Sequence, residues 1–197
     1  MVESPEMMKI IAECGGIWKP SIVKGLTNPE SFFRWMSKND NLIPLFRRYK
    51  GRGEWVYRLP KKVLEPYWHL VPKDINKYAI FRSFALILYY QKEMNLPLKS
   101  ADFDRYVGDF PRRPFNGVYY TIDYDLHPIA IIVDFYRPVK KIIEIIGGMR
   151  LPFQLNRSPY FHILTNKNRV ELANAIDEKY EYEQVEVFSF QELKTLY

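Results

Sequence analysis

Cysteine and histidine are scarce in this chain of 197 residues, which contains one cysteine and three histidines. The single cysteine, Cys14, excludes an intramolecular disulfide framework and any zinc cluster built on several thiolates. The histidines (His69, His127 and His162) are scattered along the sequence, so we expect packing or surface roles for them rather than a metal site.

Long apolar runs and nucleotide-binding glycine motifs are also absent. The most apolar stretch, residues 78–90, contains Arg82 and Ser83 and is shorter than the about 20 residues that span a bilayer. The first residues lack the basic and apolar segments of a secretory signal. No G-x-G-x-x-G, P-loop or G-x-S-x-G sequence occurs, which argues against nucleotide binding and hydrolase chemistry. We therefore expect a soluble, cytoplasmic protein.

The chain does contain many apolar residues (47 %) and aromatic residues (16 %), which predicts a folded protein. Its net charge of +6 is distributed unevenly. Residues 1–70 hold 12 basic and 7 acidic side chains, residues 71–113 hold 8 and 5, and residues 114–197 hold 9 and 11. A basic N-terminal part followed by a near-neutral C-terminal part favours a nucleic-acid partner that the N-terminal part binds.

The most informative local pattern is a basic hairpin over residues 42–59. Two short runs of β-forming residues flank Gly51, Arg52 and Gly53, and these glycines supply the positive φ that a tight turn needs. The hairpin and its exit carry a single acid, Glu54, among many bases. The basic residues are Arg47, Arg48, Lys50, Arg52, Arg58, Lys61 and Lys62. Tyr49, Trp55 and Tyr57 alternate with these charges, as on many nucleic-acid surfaces.

Three short helices are predicted before the hairpin: residues 5–14, ended by Gly15-Gly16, residues 20–26, and residues 29–38, capped by Thr27 or Asn28. In the third helix Phe32, Phe33, Trp35 and Met36 are the expected core. Arg34 and Lys38, four residues apart, would share an outward face. Short helices followed by a basic hairpin resemble a winged helix-turn-helix, a fold that usually binds nucleic acid. The alternative is a solvated hairpin whose charges only maintain solubility.

We predict an α+β protein in three parts: a winged-helix DNA-binding domain over residues 1–70, a helical connector over 71–113, and a mixed α/β domain over 114–197. The connector would contain a long buried helix over 73–94, started by Asp74. The α/β domain has strands expected at 118–123, 129–136, 159–165 and 185–188. Helices are expected at 138–149, ended by Gly147-Gly148, at 168–179 and at 190–196, with parallel pairing on one side of the sheet.

This second half resembles the restriction-endonuclease-like (PD-(D/E)XK) fold, over about residues 115–190. The matching segments are FNGVYYTIDYD, PIAIIVDFYRPVKKI and PYFHILTNKNRVELANAI. In that fold two antiparallel strands carry the metal-binding acids, a helix follows, and a βαβ segment completes the sheet. A winged helix before such a domain is also similar to plasmid replication-relaxation proteins and to type IV abortive-infection antitoxins.

The resemblance implies an Asp on the first strand and Asp/Glu-x-Lys on the second, where two carboxylates hold Mg²⁺ and the lysine polarises water. Asp134 stands at the acid position of the second strand, but Tyr136 replaces the lysine and Asn116 replaces the first Asp. We therefore expect a nuclease fold without nuclease chemistry or a cofactor. The buried Asp134 would then have a partner such as Arg137, Lys140 or a backbone N–H.

Our leading prediction is a non-enzymatic protein that binds double-stranded DNA, as a transcription or replication regulator of a plasmid, a virus or their archaeal host. The C-terminal domain would support a homodimer or a protein partner. One alternative is a Mg²⁺-dependent DNA endonuclease in which Asp134 and Asp123 bind the metal and Lys140 is a displaced lysine. The other is an antitoxin-like protein that mainly binds a protein partner.

A triple substitution tests the hairpin. Replacing Arg47, Arg48 and Arg52 by Ala should weaken binding to all duplexes alike, because phosphate contacts carry no sequence information. Each phosphate interaction that the substitution removes should reduce the slope of log K against log[salt] by about 0.9. The measurement is fluorescence anisotropy of labelled duplexes at several salt concentrations; an unchanged affinity would remove the hairpin from the interface.

Overall fold

The structure is a computed structural model in which helices and two small sheets confirm the α+β class. It divides into two compact units, Met1–Lys92 with Glu192–Tyr197, and Glu93–Gln191. The residues that it describes are 4–24, 28–38, 43–47, 54–65, 76–92, 118–122, 128–134, 137–150, 160–166, 170–180, 185–190 and 193.

The first unit contains five helices and three short strands within its described residues. In chain order they are α1 (Ser4–Glu13), β1 (Ile17–Trp18), α2 (Pro20–Val23), α3 (Pro29–Lys38), β2 (Ile43–Arg47), β3 (Trp55–Arg58), α4 (Lys61–Leu64) and α5 (Lys77–Lys92). The strands form an antiparallel sheet in the order β1-β3-β2. The predicted first and third helices and the hairpin strands are confirmed, whereas β1 was not predicted and α2 is shorter than expected. The hairpin turn lies outside the described residues.

Two consecutive glycines end α1 and lead directly into β1. Gly15 and Gly16 have φ values of 102° and 77°, and their N–H groups donate to Ala12 O at 3.0 Å and Ile11 O at 2.7 Å. This pair of bonds is the Schellman arrangement, which satisfies carbonyls at a helix C-terminus. Gly16 O then accepts a bond from Leu59 N at 2.9 Å. The reversal therefore places β1 beside β3 and brings α4 close to Gly16.

Helix α5 starts later than predicted and belongs to the first unit. Its cap is Asn76, whose Oδ1 accepts bonds from Tyr78 N and Ala79 N, both at 3.0 Å, so Asp74 does not start the helix. Residues Ala79–Leu88 are buried except Arg82, as expected for a helix that is apolar nearly all round. The helix packs against α1, β1 and α2. Helix α5 thus belongs to the first compact unit, Met1–Lys92 with Glu192–Tyr197, while the division predicted at residues 70 and 113 stays a prediction.

The second unit is a four-stranded mixed sheet with two helices among its described residues. The elements are β4 (Val118–Ile122), β5 (Pro128–Val133), α6 (Val139–Arg150), β6 (Tyr160–Asn166), α7 (Val170–Asp177) and β7 (Val185–Phe190). The strand order is β4-β5-β6-β7; β4 and β5 are antiparallel, and β5-β6 and β6-β7 are parallel. The predicted parallel pairing on one side of the sheet is confirmed.

Both helices of this unit pack on one face of its sheet. On that face Ala130 and Ile132 of β5 and Phe161 and Ile163 of β6 form one buried cluster with residues of the helices. The helix residues are Ile142, Ile145 and Ile146 of α6 and Leu172 and Ile176 of α7. Successive right-handed crossovers in one direction place their helices on the same side, as observed.

Three predicted boundaries in this unit are wrong. Gly147-Gly148 does not end α6, which continues to Arg150 because Ile142, Ile145 and Ile146 hold its inner side against the sheet. Strand β5 ends at Val133 rather than at residue 136. Phe190 closes β7 instead of starting a helix.

Matched glycine substitutions test these conformations. Gly16→Ala should lower the free energy of unfolding by about 1–3 kcal/mol, because a positive φ disfavours a Cβ atom and the new atom would meet Leu64. Gly147→Ala should raise it by about 1 kcal/mol, since a Cβ there meets nothing within 4 Å and alanine favours helix. Urea denaturation measures both; equal effects of the two substitutions would contradict the assigned backbone.

Candidate functional site

The orientation of α3 depends on a buried aromatic cluster. Trp18 of β1 is fully buried, and its ring stacks on Tyr57 of β3 and meets Phe32 of α3 edge-on, with both centroid distances 4.8 Å. Tyr57 is 7 % exposed, so the expectation that it alternates with basic residues on the hairpin surface is wrong. Its ring is part of the core that joins α3 to the sheet.

The hairpin's one acid has a structural role. Glu54 Oε1 accepts a bond from Ser21 N at 2.6 Å, at the start of α2. The residue in the N-cap position of α2, Lys19, makes no side-chain cap bond of its own. Glu54 therefore supplies the acceptor for this helix start and ties the beginning of β3 to α2.

Helix α3 begins with a side-chain cap and presents a polar outer face. Asn28, one of the two predicted caps, accepts bonds from Glu30 N at 3.0 Å and Ser31 N at 3.2 Å. Phe32 and Met36 are buried, and Arg34 and Lys38 are exposed, as predicted. Arg34 Nη2 lies 3.6 Å from Glu30 Oε2, and their side chains are 77 % and 83 % exposed, so this ion pair contributes little to stability.

Phe33 and Trp35 do not belong to the core as predicted. Phe33 is 38 % exposed, and its ring lies edge-on to Tyr57 with a centroid distance of 5.7 Å. Trp35 is half-buried. The apolar stripe of α3 that packs against the sheet is narrow and centred on Phe32 and Met36. Phe33 and Trp35 therefore lie at the margins of this stripe, where solvent reaches them.

The structure locates part of the predicted basic set. Lys61 and Lys62 are exposed in α4, directly after the hairpin, and Arg58 is half-buried in β3. Arg47 is the last residue of β2 and pairs with Trp55, while its side chain lies outside the described part of the chain. The same applies to all of Arg48, Lys50 and Arg52.

The carboxylate of Asp134 is completely buried at the end of β5. Its Oδ1 accepts a bond from Arg137 N at 3.2 Å and lies 3.7 Å from Arg137 Nη1. The Arg137 side chain is only 14 % exposed. The expected partners of Asp134, a backbone N–H and Arg137, are thus confirmed. Lys140 is exposed in the first turn of α6, and Asp123 and Tyr136 lie outside the described residues.

A row of polar residues marks the carboxyl ends of the parallel strands. Asp134 follows Val133, which pairs with Leu164, and Thr165 of β6 pairs with Ser189 of β7. On each of the three strands the polar residue comes two positions after an apolar residue of the face that the helices cover. The sequence signal for this row is therefore an apolar-x-apolar-x-polar pattern at the end of each strand. Thr165 is 1 % exposed, and its Oγ1 has no hydrogen-bond partner among the described residues. One paired carboxylate with two hydroxyls is a poor ligand set for Mg²⁺.

Other chemistries find little support in the described residues. They contain no group of three or more His, Cys, Asp or Glu side chains that could hold a metal ion. Burial raises the pKa of the Cys14 thiol well above its usual value, and the negative charge of Glu13 raises it further, so the reactive thiolate is disfavoured. Within the same residues, no helix has the length and apolar character needed to cross a membrane.

Comparisons with protein-family models, curated proteins and solved structures found no match to this chain.

Substitutions at Asp134 distinguish a structural carboxylate from a catalytic one. Asp134→Ala should lower the free energy of unfolding by about 3–5 kcal/mol, because it removes the charge that compensates the mostly buried Arg137. Glu144→Ala is the matched control. Lys141 Nζ donates to Glu144 at 3.0 Å, and this bond lowers the pKa of the Glu144 carboxyl, but the pair is about half exposed. Its removal should lower the free energy of unfolding far less than Asp134→Ala does, because solvent screens the pair.

Urea denaturation provides the comparison between the two variants. The same proteins are then incubated with duplex DNA and Mg²⁺. Cleavage by the parent protein that disappears in a stably folded Asp134→Ala variant would contradict the structural role and favour the endonuclease alternative.

Proposed function

We propose that this protein is a non-enzymatic DNA-binding protein, a regulator of transcription or replication in a mobile element or its host. In this proposal the first unit is a winged helix whose α3 enters the major groove of double-stranded DNA. The observation that carries it is the order of elements, α1-β1-α2-α3-β2-β3, with the antiparallel strand order β1-β3-β2. Helix α3 is followed by the strand pair β2–β3, and a helix followed by such a two-stranded wing is typical of winged-helix proteins that bind DNA.

The surface of α3 supports the proposal. The helix is capped at Asn28 and packed through Phe32 and Met36, so its opposite side is free to meet a ligand. Arg34 and Lys38 are exposed on that side. The weak pair between Arg34 and Glu30 costs little to break, so the guanidinium is available to phosphates or bases.

Charge after the hairpin adds a second contact region. Lys61 and Lys62 are exposed at the start of α4, immediately after β3. The sequence of residues 1–70 has five more basic than acidic side chains, whereas residues 114–197 have two fewer. Electrostatic attraction would therefore orient the first unit towards DNA.

For the second unit we propose a non-catalytic role in dimerisation or in binding a protein partner. Its hairpin followed by a helix and a parallel strand is compatible with a restriction-endonuclease-like core. Asp134, the carboxylate that only the endonuclease alternative assigns to a metal, is engaged by Arg137. These observations support a nuclease-like scaffold that is used for assembly rather than for cleavage.

The test is the salt dependence of duplex binding by the full chain, measured by fluorescence anisotropy. Arg34→Ala/Lys38→Ala should reduce the slope of log K against log[salt] by about 1.8, because the variant cannot make two phosphate interactions that contribute about 0.9 each. The affinity at low salt should fall accordingly. Circular dichroism confirms that the variant keeps its helices.

The control is Lys9→Ala/Lys92→Ala, which removes the same charge from exposed positions of α1 and α5. This control should keep the slope of the parent protein within experimental error. Equal reductions in the two variants would indicate a general charge effect, and no binding even at low salt would refute DNA recognition.

A further inference from the structure

The outer face of α3 has a mixed chemistry that bears on what it contacts. This inference rests on the proposed function. The exposed residues of that face include Glu30, Phe33, Arg34, Ser37 and Lys38. A helix that only held phosphates would be repelled at Glu30 and would gain nothing from Phe33. One acid, one hydroxyl, one aromatic ring and two bases instead suit base edges in the major groove, which present donors, acceptors and methyl groups.

Phe33 is the unusual member of this face. Among the described residues it is the one large apolar side chain that is exposed. Its ring is nevertheless held, because it lies edge-on to Tyr57, which stacks on Trp18. A side chain that is fixed before binding loses little conformational entropy when it meets a ligand.

We propose that Phe33 reads the C5-methyl group of thymine in the major groove. Thymine alone among the four DNA bases presents a methyl group there, and phenylalanine is one of the side chains that contact it. The cation–π alternative, an arginine or lysine of a protein partner over the ring, would bring a further positive charge to a helix face that already exposes Arg34 and Lys38, and these two bases would repel it. If Arg34 and Lys38 bind phosphates, a thymine next to those phosphates gives Phe33 a methyl group to contact, so each of the three side chains has a partner on the DNA.

The probe is a duplex selected by the full chain from a randomised library. Each of its thymines is replaced in turn by deoxyuridine, which keeps the base pair and removes only the methyl group. At one position at least, the replacement should weaken binding about fourfold, the equivalent of about 0.8 kcal/mol for one buried methyl group. Anisotropy at one fixed salt concentration measures the ratio.

Variants assign this sensitivity to a residue. Phe33→Ala should bind the thymine and uracil duplexes equally at the sensitive position. Ser31→Ala, an exposed residue of α3 outside that set, should keep the fourfold ratio. Phe33→Leu, which retains an apolar side chain, should keep a preference for thymine and serves if the alanine variant fails to fold.

The outcomes separate this inference from the proposed function. Salt-dependent binding without any preference for thymine over uracil in the parent protein would overturn the role of Phe33 and leave DNA binding intact. The same holds if folded Phe33→Ala keeps the preference at the same position. If no duplex shows salt-dependent binding, both the role of Phe33 and the proposed DNA-binding function are overturned.

Discussion

The contact of Trp18 with Tyr57 and Phe32 is the constraint on which the first unit depends. It joins β1, β3 and α3 through one fully buried ring, with both neighbouring rings at 4.8 Å. Large aromatic side chains bury much apolar area and have few rotamers, so they fix relative orientation as well as stability. The direction in which α3 presents Arg34, Lys38 and Phe33 follows from this contact. A surface proposed for DNA therefore owes its geometry to residues that solvent does not reach.

Two acidic side chains of the described residues, Glu54 and Asp134, bind groups of the protein itself. Glu54 accepts a bond at the start of α2, and Asp134 is engaged by Arg137 inside the second unit. Glu54 lies in the basic hairpin, and Asp134 stands at the acid position of the nuclease-like pattern. From the sequence alone, either could be taken for a residue that contacts a ligand. In both cases the partner is a backbone N–H, to which a carboxylate is a strong acceptor.

Local signals sufficed for some elements and failed where distant contacts decide. Asn28, Pro29 and the spacing of Phe32 and Met36 predicted α3 with its observed bounds. The two residues of β1 are too few to show a period and exist as a strand only because β3 pairs with them. Gly147-Gly148 carries a local signal to end a helix, which the packing of Ile142 and Ile145 overrides. The partner of Asp134 was foreseeable because Arg137 follows three residues later, whereas the exposure of Phe33 required the register of α3 against the sheet.

The pairing of β1 with β3 has a consequence for how the first unit folds. Trp18 and Tyr57 are register neighbours although about 40 residues separate them in the chain. Hairpin β2–β3 and helices α1 and α3 are made of residues close in the chain and are expected to form early, whereas a long-range pairing must first close a large loop at an entropic cost. We therefore expect β1 to join the β2–β3 pair late in folding. Because Phe32 of α3 packs on Trp18, the orientation of α3, and with it the surface proposed for DNA, would be fixed only at that step.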